Sequence, residues 1–209
     1  MHINHEQVRK TCFILMLAAV IFLSTFELIR AGELLGKHES YVLESGRPGE
    51  CQVKISFFLH LQPRMASNQI AVWIEDKDGN YIKTVFATSY TAQGGYQKRP
   101  LSLPHWRDAS DWEKVSQHYV DAVSGATPLS GNHTIVWDCT DDQGMLVPPG
   151  TYLYKVEGNI FWENMVIWSG EISIGAARGS SEAEPEYIPE RAHRKGILLE
   201  NVRAEYIPK

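Results

Sequence analysis

A hydroxyl-bearing loop between residues 121 and 131 contains the side chains that are best placed to do chemistry. It reads Asp121-Ala-Val-Ser-Gly-Ala-Thr127-Pro-Leu-Ser-Gly131, and the run Asn132-His-Thr-Ile-Val-Trp-Asp138 follows it. Glycine, proline and serine favour a turn, whereas β-branched and aromatic residues favour a strand. Because rigid scaffolds commonly display functional groups on their loops, we expect the loop to present the Ser124 and Thr127 hydroxyls.

The hydroxyls of this loop lack the neighbour that nucleophilic catalysis requires. An activated serine or threonine works beside a general base such as histidine, and residues 121–131 contain no histidine. The chain also shows no sequence pattern that gathers an acid, a base and a nucleophile. We therefore expect a non-catalytic protein and rank a hydrolase last.

Histidine and aspartate do not follow a metal-ligand pattern, so no metal site is expected. The histidines lie on different predicted elements, without spacing such as His-x-x-x-His. The acidic turn after residue 137 has its glycine misplaced for a calcium loop and lacks the closing glutamate. The residues concerned are His60, His105, His118, His133, Asp138, Asp141 and Asp142.

Two cysteines, Cys51 and Cys139, remain once the N-terminal segment with Cys12 is set aside. In an oxidising compartment they would close a long loop, and a disulfide there would contribute about 2–4 kcal/mol of stability. The sequence does not fix the separation of their Cα atoms. Two separate buried thiols are therefore the alternative to a disulfide.

Short strands separated by turns predict the domain that positions the loop. Residues 53–61 alternate between apolar and polar, and Asp78-Gly79 predicts a hairpin between strands at 70–75 and 81–88. Further strands are predicted at 134–138, 151–157, 165–174 and 197–206. Turn signals about every ten residues favour an all-β fold with minor α content, an antiparallel immunoglobulin-like β-sandwich.

One long insertion interrupts this sandwich. Residues 89–107 have the composition of an irregular connection, and residues 108–120 predict a short helix with Asp108 or Ser110 as its N-cap. Trp106 and Trp112 would then be able to rim a binding surface. Later in the chain, the small and polar residues 176–195 predict an exposed excursion.

The N-terminus predicts export. Arg9 and Lys10 precede a short apolar run, which is typical of a signal peptide, although an uncleaved anchor is also open. We therefore divide the 209 residues into a signal peptide or membrane anchor (1–31), a linker (32–49) and the sandwich domain (50–209). The net charge of -5 and the absence of a basic cluster argue against nucleic acid as a partner.

Four segments occur in a characteristic order: Ala71–Thr84, Leu103-Pro-His-Trp106, the loop 121–131, and Trp137–Tyr152 with its Val-Pro-Pro-Gly turn. Together they resemble the DUF2271 family of predicted periplasmic proteins. The second half also resembles the immunoglobulin-like domain of flagellar hook-capping proteins. The family resemblance implies a periplasmic β-sandwich that accompanies flavin transferases and PepSY-type membrane proteins, as a partner-binding or accessory module of a membrane redox system.

A second resemblance concerns the loop itself. Asp121-Ala-Val-Ser-Gly-Ala-Thr127 is similar to the motif Asp-x-x-(Ser/Thr)-Gly-Ala-Thr, at which FMN is attached to exported redox proteins through a phosphoester. The resemblance implies that a separate flavin transferase modifies Thr127, while Gly125 and Ala126 leave room for the phosphate. Asp121 and Ser124 would complete the attachment loop of a periplasmic electron carrier.

The same residues also make a purely structural turn. In that interpretation Gly125 adopts a positive φ, Pro128 restricts Thr127 to extended backbone, and Asp121 acts as a cap. Both interpretations of the loop remain open from the sequence.

Overall fold

The computed structural model describes residues 41–44, 51–175 and 177–208. The predicted signal or anchor segment 1–31 lies outside these residues, as does the predicted linker apart from a short strand at 41–44. Within the described part of the chain, two β-sheets enclose a common core and a helical layer covers one of them. None of the described helices has the length and apolar character needed to cross a bilayer.

The first sheet has five strands: Tyr41–Glu44 (β1), Gln52–Leu59 (β2), Gly131–Trp137 (β6), Gly179–Glu182 (β9) and Leu199–Ile207 (β11). Their order across the sheet is β1-β6-β2-β11-β9. Strand β1 pairs in parallel with β6, and the other neighbours are antiparallel.

The second sheet has six strands: Ile70–Asp76 (β3), Tyr81–Thr88 (β4), Ser124–Gly125 (β5), Gly150–Phe161 (β7), Asn164–Ile174 (β8) and Glu184–Ile188 (β10). Their order is β10-β8-β7-β3-β4-β5. Here the pair β4 and β5 is parallel and the other neighbours are antiparallel.

Alternation along the strands directs one apolar face of each sheet into the core. On β2, Val53 and Ile55 are fully buried, while Lys54 between them remains partly exposed. Tyr154 and Val156 of β7 belong to the same buried cluster and reach it from the opposite sheet. The predicted β-sandwich with minor α content is therefore confirmed. The two parallel pairs make its sheets mixed, and its likeness to an immunoglobulin domain stays a prediction.

The chain between β4 and β5 forms the helical layer. It contains the helices Ser89–Ala92 (α1), Pro104–Ser110 (α2) and Gln117–Val123 (α3), with 3-10 turns at Gly95–Gln97 and Trp112–Lys114. Trp73, on the outer face of β3, is buried with Trp106 and Trp112 in a second apolar cluster. Apolar residues on both faces thus give β3 a helical layer on one side and the sandwich core on the other.

The prediction of one helix over residues 108–120 is wrong. Helix α2 ends at Ser110. The next residue, Asp111, has a left-handed φ of 48°, and helix α3 starts afresh after Ser116. The Ser116 hydroxyl accepts a hydrogen bond of 3.3 Å from the Tyr119 nitrogen, which makes Ser116 the cap. Asp108 and Ser110, predicted as caps, lie inside α2 instead.

Cys51 and Cys139 are joined by a disulfide, with their Cα atoms 5.8 Å apart. Cys51 precedes β2 and Cys139 follows β6, two neighbouring strands in which Val53 lies opposite Trp137. The bond therefore links adjacent strand ends within one sheet and closes a loop of 88 residues.

The range 176–195 contains more regular structure than its polar composition predicts. Strand β9 adds an edge to the first sheet, β10 adds an edge to the second, and a 3-10 turn follows at Glu190–Lys195. Most of its described side chains are exposed, because edge strands bury little surface.

Candidate functional site

The predicted attachment loop begins in helix α3 and crosses from the second sheet to the first. Its Ser124 and Gly125 form β5, opposite Ala87 and Thr88 at the end of β4. Its last residue, Gly131, begins β6 opposite Leu59 of β2. Between these anchors, the Ser130 hydroxyl accepts a hydrogen bond of 2.9 Å from the Leu61 nitrogen. The loop is therefore held at both ends by strands.

The middle of the loop faces solvent. Ala126 and Thr127 are exposed, whereas Ser124 is half-buried in β5. The Thr127 hydroxyl makes no hydrogen bond to any residue that the structure describes. A second protein can consequently approach Thr127 without unfolding the sandwich.

Gly125 has a packing role that the sequence did not indicate. A Cβ atom at this position would lie 2.7 Å from Cε2 of Phe86, whose side chain is 5 % exposed. This ring therefore fills the space on the Cβ side of Gly125, and the expected room for a phosphate at Gly125 and Ala126 stays a prediction. Thr127, by contrast, fits as an attachment point because its hydroxyl is accessible.

The structural-turn interpretation is wrong in two of its details. The positive φ lies at Gly131 (143°) and not at Gly125. Asp121 does not act as a cap: it lies within α3, where its Oδ1 accepts a hydrogen bond of 2.8 Å from Gln117 Nε2. The predicted site residues thus share one segment. Asp121, however, bonds to Gln117 of its own helix, and the Cβ side of Gly125 faces the Phe86 ring.

A buried carboxylate joins the helical layer to the sandwich. Glu157 of β7 is 0 % exposed and accepts hydrogen bonds from the Trp106 nitrogen (2.8 Å) and from His105 Nδ1 (3.0 Å). The hydrogen bond to Glu157 is the largest influence on His105, and it raises the pKa of that imidazole above its ordinary value. Asn159, two residues on, accepts from the Leu103 nitrogen at 3.1 Å. These side chains position α2.

A second polar cluster lies beneath the same layer. The Thr84 hydroxyl contacts Tyr81 Oη at 2.8 Å and accepts a hydrogen bond of 2.9 Å from Trp106 Nε1. Tyr119 Oη lies 3.1 Å from Tyr81 Oη. Burial raises the pKa of both tyrosines, so both stay protonated at neutral pH. The polar groups of this cluster hydrogen-bond to one another. We therefore interpret the cluster as a structural contact that holds the helical layer on the sheet.

A cavity of about 410 Å³ opens beside the helical layer. Its walls come mainly from three connections: Ala66 and Gln69 before β3, the segment 98–102 between α1 and α2, and Trp162 in the β7–β8 turn. Asn159 of β7 completes the lining. Leu101 and Trp162 are 51 % and 48 % exposed. The prediction that Trp106 and Trp112 rim a binding surface is wrong, since both are buried. Trp162 is the tryptophan that lines the exposed cavity.

Gln69 connects this cavity to the strand that holds the loop. Its Oε1 accepts hydrogen bonds from the hydroxyls of Thr88 (2.8 Å) and Thr91 (3.0 Å). Thr88 lies opposite Gly125 in the parallel pair of β4 and β5. No local signal predicts this arrangement, because its residues come from separate connections without a shared motif.

The histidines lie apart. His60 contacts Glu200 at 2.9 Å, His105 contacts Glu157, and His133 Nε2 lies 2.6 Å from the Leu129 carbonyl oxygen. His118 is exposed on α3. In the part of the chain that the structure describes, no group of three or more His, Cys, Asp or Glu residues is arranged to hold a metal ion.

Comparison with known proteins identifies a family. The family model described as "Predicted periplasmic protein (DUF2271)" matches residues 50–187, from the start of β2 into β10. No curated protein and no solved structure matches the chain.

Proposed function

The chain belongs to the DUF2271 family of predicted periplasmic proteins, and we propose that it serves a flavin-dependent membrane redox system as a non-catalytic envelope module. Two versions of this role differ in whether the module carries the flavin. In one it binds a redox partner, such as a PepSY-type membrane protein, without a cofactor of its own. In the other it is an electron carrier with FMN covalently attached to Thr127. The Cys51–Cys139 disulfide suits either version, because such bonds persist in oxidising compartments.

The exposed Thr127 hydroxyl is the observation that favours the carrier version. A transferase must reach this oxygen while the domain stays folded, and the hydroxyl has no competing partner among the described residues. Two residues earlier, Gly125 is fixed against Thr88 and Phe86. The exposed Thr127 hydroxyl therefore lies next to a backbone segment that is held in place at Gly125. This combination supports the proposal that a second enzyme recognises the segment as a modification motif.

The attachment reaction assigns a limited task to this chain. Thr127 Oγ would bond to the FMN phosphorus of a flavin dinucleotide, from which a nucleoside monophosphate leaves. The hydroxyl proton would pass to a base of the separate transferase, since no base lies beside Thr127 in the sequence. Once bound, FMN would supply the electron-transfer chemistry that the side chains of the loop lack.

Exposed apolar side chains favour the partner-binding version. Met65, Leu101 and Trp162 are 79 %, 51 % and 48 % exposed, and Leu101 and Trp162 line the same cavity. Apolar groups gathered on a surface commonly mark a site of protein contact. A carrier also needs a partner, so this surface is compatible with both versions.

Co-expression with a flavin transferase separates the two versions. After denaturing electrophoresis, the wild-type domain is expected to show flavin fluorescence, and Thr127→Ala is expected to show none. Thr127→Ser is the matched control, because it keeps a hydroxyl at the same place. A dark wild-type band, or an undiminished Thr127→Ala band, eliminates the carrier version.

The partner-binding version has its own test. The wild-type domain and Trp162→Asn, which removes the indole but tolerates a positive φ, are each mixed with a purified PepSY-type membrane protein. Binding that Trp162→Asn weakens supports the version. If the wild-type domain neither binds this protein nor accepts flavin, the proposed function is wrong.

A further inference from the structure

We propose that the cavity lined by Ala66, Gln69, residues 98–102 and Trp162 binds a flat aromatic organic anion. The site does not depend on the modification of Thr127, and it concerns a ligand that enters from solution. Its volume of about 410 Å³ lies within the range of small-molecule sites, about 300–1,000 Å³.

The walls of the cavity suit a ring. Trp162, Leu101, Pro100 and Ala66 present mostly carbon to the space between them. The half-exposed indole of Trp162 offers an aromatic surface for stacking, and aromatic pairs are favourable in offset or edge-to-face arrangements. Apolar walls of this kind select a ligand body that is planar and poor in polar atoms.

Gln69 supplies a polar anchor. Its side chain lines the cavity although the residue is only 7 % exposed. Oε1 is occupied by the Thr88 and Thr91 hydroxyls, whereas Nε2 has no hydrogen-bond partner among the described residues. Nε2 is therefore available to donate a hydrogen bond to a carbonyl oxygen or ring nitrogen of a ligand in the cavity.

Charge at the cavity favours an anion. Lys98 and Arg99 belong to its lining, which contains no acidic residue. Lys98 is exposed and forms no ion pair with a described residue. The Arg99 guanidinium lies 4.6 Å from the centre of the Tyr90 ring and is likewise not paired with a described carboxylate. Two cations beside an apolar cavity therefore point to a ligand with a sulfonate, carboxylate or phosphate group.

Anthraquinone-2-sulfonate is a suitable probe, because it combines a flat ring system, carbonyl acceptors and one negative charge. Calorimetric titration of the full domain, produced without a transferase, is expected to show saturable binding at one site. Thr127→Ala should bind the probe as the wild type does, so this result is independent of flavin attachment. An absence of saturable binding would overturn the proposal.

Variants of the lining assign the binding to this cavity. Trp162→Asn and Gln69→Glu are each expected to weaken binding of the probe about tenfold, which corresponds to about 1.4 kcal/mol. Gln69→Glu keeps the acceptor for Thr88 and Thr91 but removes the amide donor. Thermal unfolding of each variant verifies that the domain is folded. Unchanged affinity in both variants would place the probe elsewhere and contradict the proposal.

A charge test distinguishes an anion site from a merely apolar one. The double substitution Lys98→Glu and Arg99→Glu should weaken the binding of anthraquinone-2-sulfonate about tenfold. It should change the affinity for the uncharged 2-(hydroxymethyl)anthraquinone by less than about twofold. Lys77→Glu combined with Lys114→Glu changes the net charge equally at side chains that are 71 % and 79 % exposed, and should affect neither ligand. If Lys98→Glu with Arg99→Glu weakened the binding of both ligands equally, the assignment of an anion site would be overturned.

Discussion

Glu157, on strand β7, accepts a hydrogen bond of 2.8 Å from the backbone nitrogen of Trp106, in the first turn of helix α2. The residue that precedes α2, Leu103, supplies no side-chain cap. A carboxylate from a distant strand therefore satisfies the start of this helix and interacts favourably with its dipole. The helical layer depends on the sheet for its position.

Glu157→Gln should destabilise the domain by about 1–3 kcal/mol, because a neutral amide replaces a charged acceptor and must bury an extra donor. The free energy of unfolding in urea measures this effect. Glu171→Gln, at an exposed position of β8, is the matched control and should change stability by less than about 0.5 kcal/mol. Equal stability of the two variants would show that Glu157 does not support α2.

His105 gives this contact a pH dependence. Its pKa is raised by the hydrogen bond to Glu157, with Asp108 and Glu186 acting in the same direction. Folding thus favours the protonated imidazole, whose stabilisation is full below the unfolded pKa of about 6.5 and is lost as pH rises through the folded pKa. The destabilisation caused by His105→Gln should be larger at about pH 5.5 than at about pH 8.5. The same substitution made in Glu157→Gln should show a much smaller pH dependence, because Glu157 is the largest cause of the raised pKa, and an undiminished pH dependence there would contradict the assignment.

Gly125→Ala should destabilise the domain by about 1–3 kcal/mol, since the new Cβ atom would lie 2.7 Å from the Phe86 ring. Combining it with Phe86→Leu should cost less than the sum of the two single changes, because the smaller side chain relieves the contact. Thermal or urea unfolding of the four proteins measures this coupling. Gly179→Ala is the control, because a Cβ atom there meets nothing within 4 Å. Strict additivity would show that the glycine does not serve this packing.

Replacement of Cys51 and Cys139 by serine should lower the free energy of unfolding by about 2–5 kcal/mol, because the disulfide closes a loop of 88 residues. Guanidinium unfolding with and without a reductant measures the effect in the wild type. The doubly substituted protein should not respond to the reductant. An identical midpoint for the oxidised and reduced wild type would contradict the stabilising role.

The sandwich strands were predictable because each buries one face. Alternation along 53–61 and the Asp78-Gly79 hairpin located β2, β3 and β4 within a few residues. Strands β9 and β10 were missed, since these edge strands of four and five residues are too short and too polar to show apolar alternation. Helix α2 was misplaced because its cap, Glu157, lies 51 residues beyond Trp106.

The candidate site was predictable only where it is local in sequence. The segment 121–127 forms one continuous motif, and its Thr127 is exposed as an attachment point requires. The packing of Gly125 under Phe86 depends on a strand more than thirty residues away and left no local signal. The cavity was not predicted at all, because Gln69, Lys98 and Trp162 come from three separate connections.

Peptide mapping by mass spectrometry, after co-production with a flavin transferase, tests the proposed carrier role most directly. One proteolytic peptide, the one containing Thr127, is expected to gain the mass of FMN less one water, and fragmentation is expected to assign the phosphoester to Thr127 and not to Ser124 or Ser130. A wild-type domain in which no peptide carries flavin, or in which the flavin is found on another residue, would contradict that role.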